Sequence, residues 1–206
     1  MSQYLSKWRS FIMGFSILWI ILYHAPFQVS ISFITSFINR GYIGVEMFLL
    51  VSGYGLYYSI ANRRIIDFYK RRFIRVYPEF LIVVVLAFLL SGLSSSLDCV
   101  LWKLSTIGFW IVNKPFYCWY ISLIFILYVL FPLFSKLLEM NFSLFFIIII
   151  IICILLSVCM FPFYNVVRLM DLFSHIPIFL TGAALGYISC HEKFKKNSFS
   201  IKKFNM

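Results

Sequence analysis

The chain has 206 residues, of which 63% are hydrophobic, 21% aromatic and only 12% charged. So few charges cannot cover the surface of a soluble domain, which excludes a soluble globular protein and leaves an integral membrane protein. The formal net charge of +11 would suit nucleic acid, but the distribution of that charge excludes this partner and reads as membrane topology.

Charge-poor apolar stretches recur along the chain, each near the ~20 residues that a helix needs to cross the hydrocarbon layer. They predict spans near Phe11–Phe27, Tyr42–Ile60, Pro78–Leu93, Trp119–Leu137, Phe142–Phe161 and Leu172–Ser189. The first follows Lys7 and Arg9 as a signal peptide would, but no small-x-small cleavage site follows it, so it is read as a retained span. A cytoplasmic loop over Asn62–Tyr77 is expected between the second and third spans. Ser91–Ser96 ends the third, and Trp102–Val112, interrupted by Lys103, reads as an interfacial or re-entrant helix on the outer face. Pro132 sits inside the fourth span, where a kink is expected. The Ile147–Ile152 run is β-branched throughout, yet in lipid only a helix satisfies its own backbone, so it is read as lipid-facing helix.

With the N-terminus inside, all of the 18 Lys and Arg except Arg40, Lys103, Lys114 and Arg168 fall on the cytoplasmic side. The fold class expected is therefore an all-α polytopic membrane protein of about six transmembrane helices with both termini cytoplasmic. Residues 1–190 form one transmembrane domain and residues 191–206 a basic cytoplasmic tail. Cys99 and Cys118 map to the outer side, but a disulfide between them is not expected; no cysteine spacing suggests a metal.

Two ionisable residues stand out inside the apolar spans. His24 lies about three residues from the outer end of the first span, where an imidazole is suited to take a proton near neutral pH. A structural histidine hydrogen-bonded near the headgroups is the plain alternative. Glu46 enters the second span at similar depth, where a carboxylate is costly unless it is paired or lines a wet cavity. Glu46 accepting the His24 ring N–H would orient the imidazole and stabilise its protonated form; snorkelling to water is the alternative. Arg72 and Arg75, at i and i+3, share a helix face beside Arg71 and would grip phosphate groups bidentately, although topology and anionic lipid also call for positive charge there. Gly41, Gly44, Gly53 and Gly55 suit close helix packing, or room for a ligand.

Together these residues resemble the acyltransferase 3 family of bacterial membrane O-acyltransferases. The resemblance rests on Tyr23-His24-Ala25, on the Gly41–Tyr54 segment with its Gly-x-x-Gly-Val-acidic pattern and Ser52-Gly53-Tyr54, and on Arg72-x-x-Arg75-x-x-Pro78. Trp119, Tyr128 and Pro132 follow at the family's spacing, as does Pro177-Ile-Phe-Leu-Thr-Gly182, so the likeness covers Phe11 to Ile188. It implies transfer of an acyl group, acetyl by preference, from cytoplasmic acyl-CoA to a hydroxyl of a cell-envelope glycan or glycolipid, in the bacterial cytoplasmic (inner) membrane. It further implies His24 and Glu46 as catalytic residues, Arg71, Arg72 and Arg75 as donor-binding residues, and Ser52, Trp119 and Tyr128 along the substrate cavity. No metal is implied.

The chain departs from the family at two places. Many members carry an arginine where this chain has Met13, and Arg9, one turn earlier, is expected to be a poor substitute across helical geometry. Family domains also have more spans, which a homodimer or a missing C-terminal half would supply. A catalytically inactive, truncated family member, and a six-span transport or scaffold protein, are the alternative readings.

Overall fold

In the computed structural model the described residues are 2–26, 30–61, 64–90, 97–106, 119–160 and 174–191. Among them all regular structure is helical, as expected of backbone that must satisfy itself in lipid. In chain order the helices are α1 (Ser2–His24), α2 (Ser32–Asn39), α3 (Ile43–Ile60), α4 (Ile65–Leu90), α5 (Leu97–Leu104), α6 (Trp119–Met140) and α7 (Phe142–Met160), followed by α8 over 174–191. Three of them, α3, α4 and α6, are long and apolar enough to cross a membrane, and Phe142–Leu155 of α7 is a shorter apolar helix. Large apolar side chains such as Phe11, Ile82, Leu86, Val129 and Ile150 are exposed on the outside of the bundle. That surface suits acyl chains rather than water.

α3 is the central helix. It is apolar on all sides, which suits a helix enclosed by neighbours rather than one facing solvent. Its stretch from Val51 to Tyr57 is buried without interruption. Small residues let the neighbouring backbones approach. A Cβ at Gly44 would lie 2.8 Å from the Ser16 carbonyl oxygen of α1. A Cβ at Gly53 would run into the Phe179 carbonyl of α8, and one at Gly182 into the Leu50 carbonyl of α3. Such close approach of small residues is what drives helix association where lipid removes the hydrophobic difference. Leu49 and Leu56 of α3, Leu127 and Phe131 of α6, Phe145 of α7 and Phe179 of α8 then fill one core.

Three features differ from the reading of the sequence. The expected loop over Asn62–Tyr77 is mostly helix: from Ile65 it forms the first half of α4, which continues through Pro78 to Leu90. Asp67 in its first turn complements the positive helix end. A basic segment outside hydrocarbon remains free to be helical, and charge marks where the span starts without marking where the helix does. α1 begins earlier than expected and ends at His24. The short α2 was not anticipated; Trp19 anchors it, donating Nε1–H to the Phe37 carbonyl at 2.8 Å and stacking on the Phe37 ring.

The isoleucine run is helical, with Ile149 buried while Ile147, Ile150 and Ile151 are exposed. α6 passes through Pro132 without ending. Asn141 alone separates α6 from α7; its Oδ1 accepts the Leu144 N–H at 3.0 Å and so caps the new helix. Of the interfacial helix expected over Trp102–Val112, only the start coincides with α5, and residues 107–112 lie outside the described residues. Arg63, Ser91–Ser96, Lys114, Cys118, Pro162, Arg168, the start of the last span at Leu172 and the tail beyond 191 also lie outside them.

Candidate functional site

α1 presents residues 9, 13, 17, 20 and 24 at spacings of three or four, so they share one face. Three cavities line up along that face. The one at the His24 end, of about 320 Å³, is walled by Ile17, Ile20 and His24 of α1, Val45 and Phe48 of α3, and Trp119 and Tyr120 of α6. The middle one, also about 320 Å³, shares Ile17, Phe48 and Tyr120 with the first, and adds Arg9, Met13, Ser52, Arg72, Arg75 and Tyr128. The third, about 340 Å³, shares Arg9, Arg72 and Arg75 with the second and adds Gly55, Tyr58 and Arg71. Arg9 and His24 are fifteen positions apart on one continuous helix, about 22 Å along its axis. A row of wall-sharing cavities therefore leads from an arginine cluster to an imidazole.

The arginines converge from two helices. Arg72 lies over the Phe68 and Tyr128 rings, its guanidinium carbon 5.7 and 5.9 Å from their centroids. These aromatic faces hold a cation where water is scarce. Arg9 comes from α1, and the missing side chain of Gly55 makes its space: a Cβ there would collide with the Arg9 guanidinium. The Arg9 Nε is buried without a hydrogen-bond partner among the described residues. Gly55 thus makes room for the Arg9 side chain, whereas Gly44 and Gly53 serve helix packing.

Arg9, expected to be a poor substitute for an arginine at position 13, walls the same cavity as Met13, with α1 unbroken between them. A long side chain extending along the helix bridges one turn, and Gly55 receives its head group.

At the other end, the expected pairing of Glu46 with His24 does not form. Glu46 Oε1 instead lies 2.6 Å from Nδ1 of His175, at the start of α8. His175 stacks on the Trp119 indole, ring centroids 5.3 Å apart and planes 22° apart. Shared depth in neighbouring helices suggested His24 as the partner of Glu46 without fixing which imidazole its carboxylate meets. His24 is exposed, makes no hydrogen bond among the described residues, and has its ring set edgewise against Tyr23. Of the remaining residues singled out from the sequence, Trp119 walls the His24 cavity, Ser52 and Tyr128 the middle cavity, and Arg71 the arginine end. Sequence reasoning missed His175 and Tyr120. His175 stands two residues before Pro177, the only Asp, Glu, His, Lys or Arg between Asp171 and His191, which is the same signal that drew attention to His24. Tyr120 directly follows Trp119 in the sequence pattern, but nothing in that pattern marks its hydroxyl.

This arrangement supplies a cationic pocket, an aromatic-walled passage and an exposed imidazole, in that order. Compared with known families, the chain matches the model described as an acyltransferase domain, of the acyltransferase 3 type, over residues 11–204. No curated protein and no solved structure matches it.

Proposed function

The chain belongs to the acyltransferase 3 family, and from that membership we propose that it moves an acyl group, acetyl by preference, from acyl-CoA to a hydroxyl of an envelope glycan or glycolipid. The observation that carries the reading is the row of shared-wall cavities from Arg9, Arg72 and Arg75 to His24. A donor that is highly phosphorylated at one end and reactive at the other fits such a row. Guanidinium groups bind phosphate oxygens in paired, charge-assisted hydrogen bonds, and the thioester arm then extends along α1. Anchoring the donor far from the reacting atoms uses remote binding to position the thioester.

In this reading the arginine end faces the cytoplasm, where positive charge belongs by topology, and the His24 end faces outward in the bacterial inner membrane. His24 takes the acceptor hydroxyl proton as general base. Its imidazole makes no hydrogen bond among the described residues, so its ring nitrogens remain available. Trp119, stacked on His175, offers an aromatic face beside His24 against which a sugar ring packs. Glu46 acts through His175 by holding this platform rather than through His24.

A second reading, an inactive family member, is favoured by Met13 standing where many members carry arginine. Acetyl incorporation into envelope glycan, measured in cells that express the chain, separates the two. The transfer reading expects acetylation that is lost in His24→Ala and Arg75→Ala at equal membrane levels. A well-expressed parent that acetylates nothing, alone or with the further family spans appended, leaves the inactive reading standing.

A further inference from the structure

Tyr120 lies where the His24 cavity and the middle cavity share a wall. Its ring is held edgewise by Phe48, centroids 5.8 Å apart at 83°, and by Trp119 at 6.1 Å and 90°. Its hydroxyl is buried with no hydrogen-bond partner among the described residues. A buried hydroxyl left without a partner is destabilising, and such groups are uncommon in folded proteins. Phenylalanine would make the same ring contacts without that cost. The tyrosine is therefore explained by an acceptor atom that arrives with a ligand. Arg9 Nε, buried beside the same middle cavity and without a hydrogen-bond partner among the described residues, makes the same demand, which points to a ligand with acceptors along its length.

Resting on the acyl-transfer reading, we propose that the Tyr120 hydroxyl is a catalytic hydrogen-bond donor to the thioester carbonyl oxygen of the acyl donor. A donor held by its phosphates at Arg9, Arg72 and Arg75 must pass Tyr120 before its thioester reaches His24. There the acceptor oxygen attacks the thioester carbon, a C–O bond forms, and the acceptor proton passes to a His24 ring nitrogen. The carbonyl oxygen becomes an oxyanion, which accepts a hydrogen bond from Tyr120; the phenol keeps its proton. Collapse breaks the C–S bond, and the departing thiolate takes the proton from the imidazolium. The products are the ester and the free thiol. A donor fixed in place before the charge develops, away from bulk water, gives the largest stabilisation of the oxyanion.

The test uses the full chain, purified in lipid nanodiscs, with acetyl-CoA labelled with carbon-13 at the thioester carbonyl. In the parent, the bound carbonyl stretch is expected at lower wavenumber than in water, and in Tyr120→Phe that shift is lost. Acetyl transfer to glycan in cells is expected to fall about 100-fold in the same variant. Its unfolding midpoint without ligand is expected to stay level or rise, because only an unsatisfied hydroxyl is removed. A bound carbonyl that absorbs alike in both proteins, or full transfer by Tyr120→Phe, overturns the role of Tyr120 and leaves the acyltransferase reading intact. A variant that is less stable than the parent yet keeps the shifted stretch overturns it too, since the hydroxyl would then serve the fold. A parent that neither binds acetyl-CoA nor transfers acetyl overturns both.

Discussion

Glu46 and His175 meet across 2.6 Å, the carboxylate of α3 against the Nδ1 of α8. They stand 129 positions apart in the chain, and their contact joins the first turn of α3 to the start of the last described helix. A carboxylate at that depth needs a partner, and among the described residues His175 provides it. Trp119, stacked on the same imidazole, brings α6 to the junction. Three helices are thereby fixed around the wall of the His24 cavity.

This pair should behave as a unit. Glu46→Gln and His175→Gln are each expected to destabilise the protein, and the double variant to lose less than their sum, by about 1–2 kcal/mol. Reversible unfolding in mixed micelles measures the four corners of the cycle. Additive losses would mean that the two side chains stabilise the bundle separately.

The α3–α8 contact depends on two glycines. In both Gly53→Ala and Gly182→Ala the new methyl meets backbone carbonyl atoms, which cannot swing aside. Each is expected to cost about 1–3 kcal/mol, as overpacking does. Gly14→Ala, with nothing within 4 Å of the added carbon, should be neutral or should stabilise by up to about 1 kcal/mol through helix propensity. Unfolding midpoints of the three variants provide the comparison.

Gly55 behaves differently, because the obstacle is the mobile end of Arg9 rather than backbone. Gly55→Ala is expected to leave stability nearly unchanged while pushing the guanidinium out of the cavity. CoA affinity should then fall about tenfold, the loss of one charge-assisted hydrogen bond. Arg9→Ala should match it, and the double variant should be no worse than either. Isothermal titration with CoA decides this; undiminished affinity in Arg9→Ala would remove Arg9 from the donor site.

Phe131 is fully buried, lies near-parallel to Phe68 at 5.8 Å and meets Phe179 edgewise at the same distance. Phe131→Ala is expected to cost about 3–5 kcal/mol through the cavity it leaves. Ile150→Ala, on the exposed face of α7, should change stability by less than about 0.5 kcal/mol. The contrast, read by unfolding in micelles, tests which faces of α6 and α7 point inward.

Membership of the membrane-embedded class was legible from charge alone, since 12% charged residues leave no soluble surface to build. Helicity followed, because lipid offers the backbone no other partner, and even Ile147–Ile152 obeyed that rule. The candidate site was legible in part. His24, Arg72 and Arg75 were marked by being ionisable at the edges of apolar runs, and they wall the cavities along α1. The Tyr120 hydroxyl was not legible, because a tyrosine beside Trp119 in an aromatic-rich helix reads as ring packing until its hydroxyl is seen to lack a partner among the described residues.

The sequence by itself determined the solvent, the type of secondary structure and the family, because hydropathy, spacing and motif are local properties that need no knowledge of neighbours. Only the tertiary structure decided that Glu46 answers to His175, that Gly55 makes room for Arg9, and that Arg9 reaches the cavity walled by Met13. Those are choices among side chains at similar depth on different helices. Depth is written in the one-dimensional order of the chain; rotation and helix neighbourhood are set by which small residues let which backbones come close.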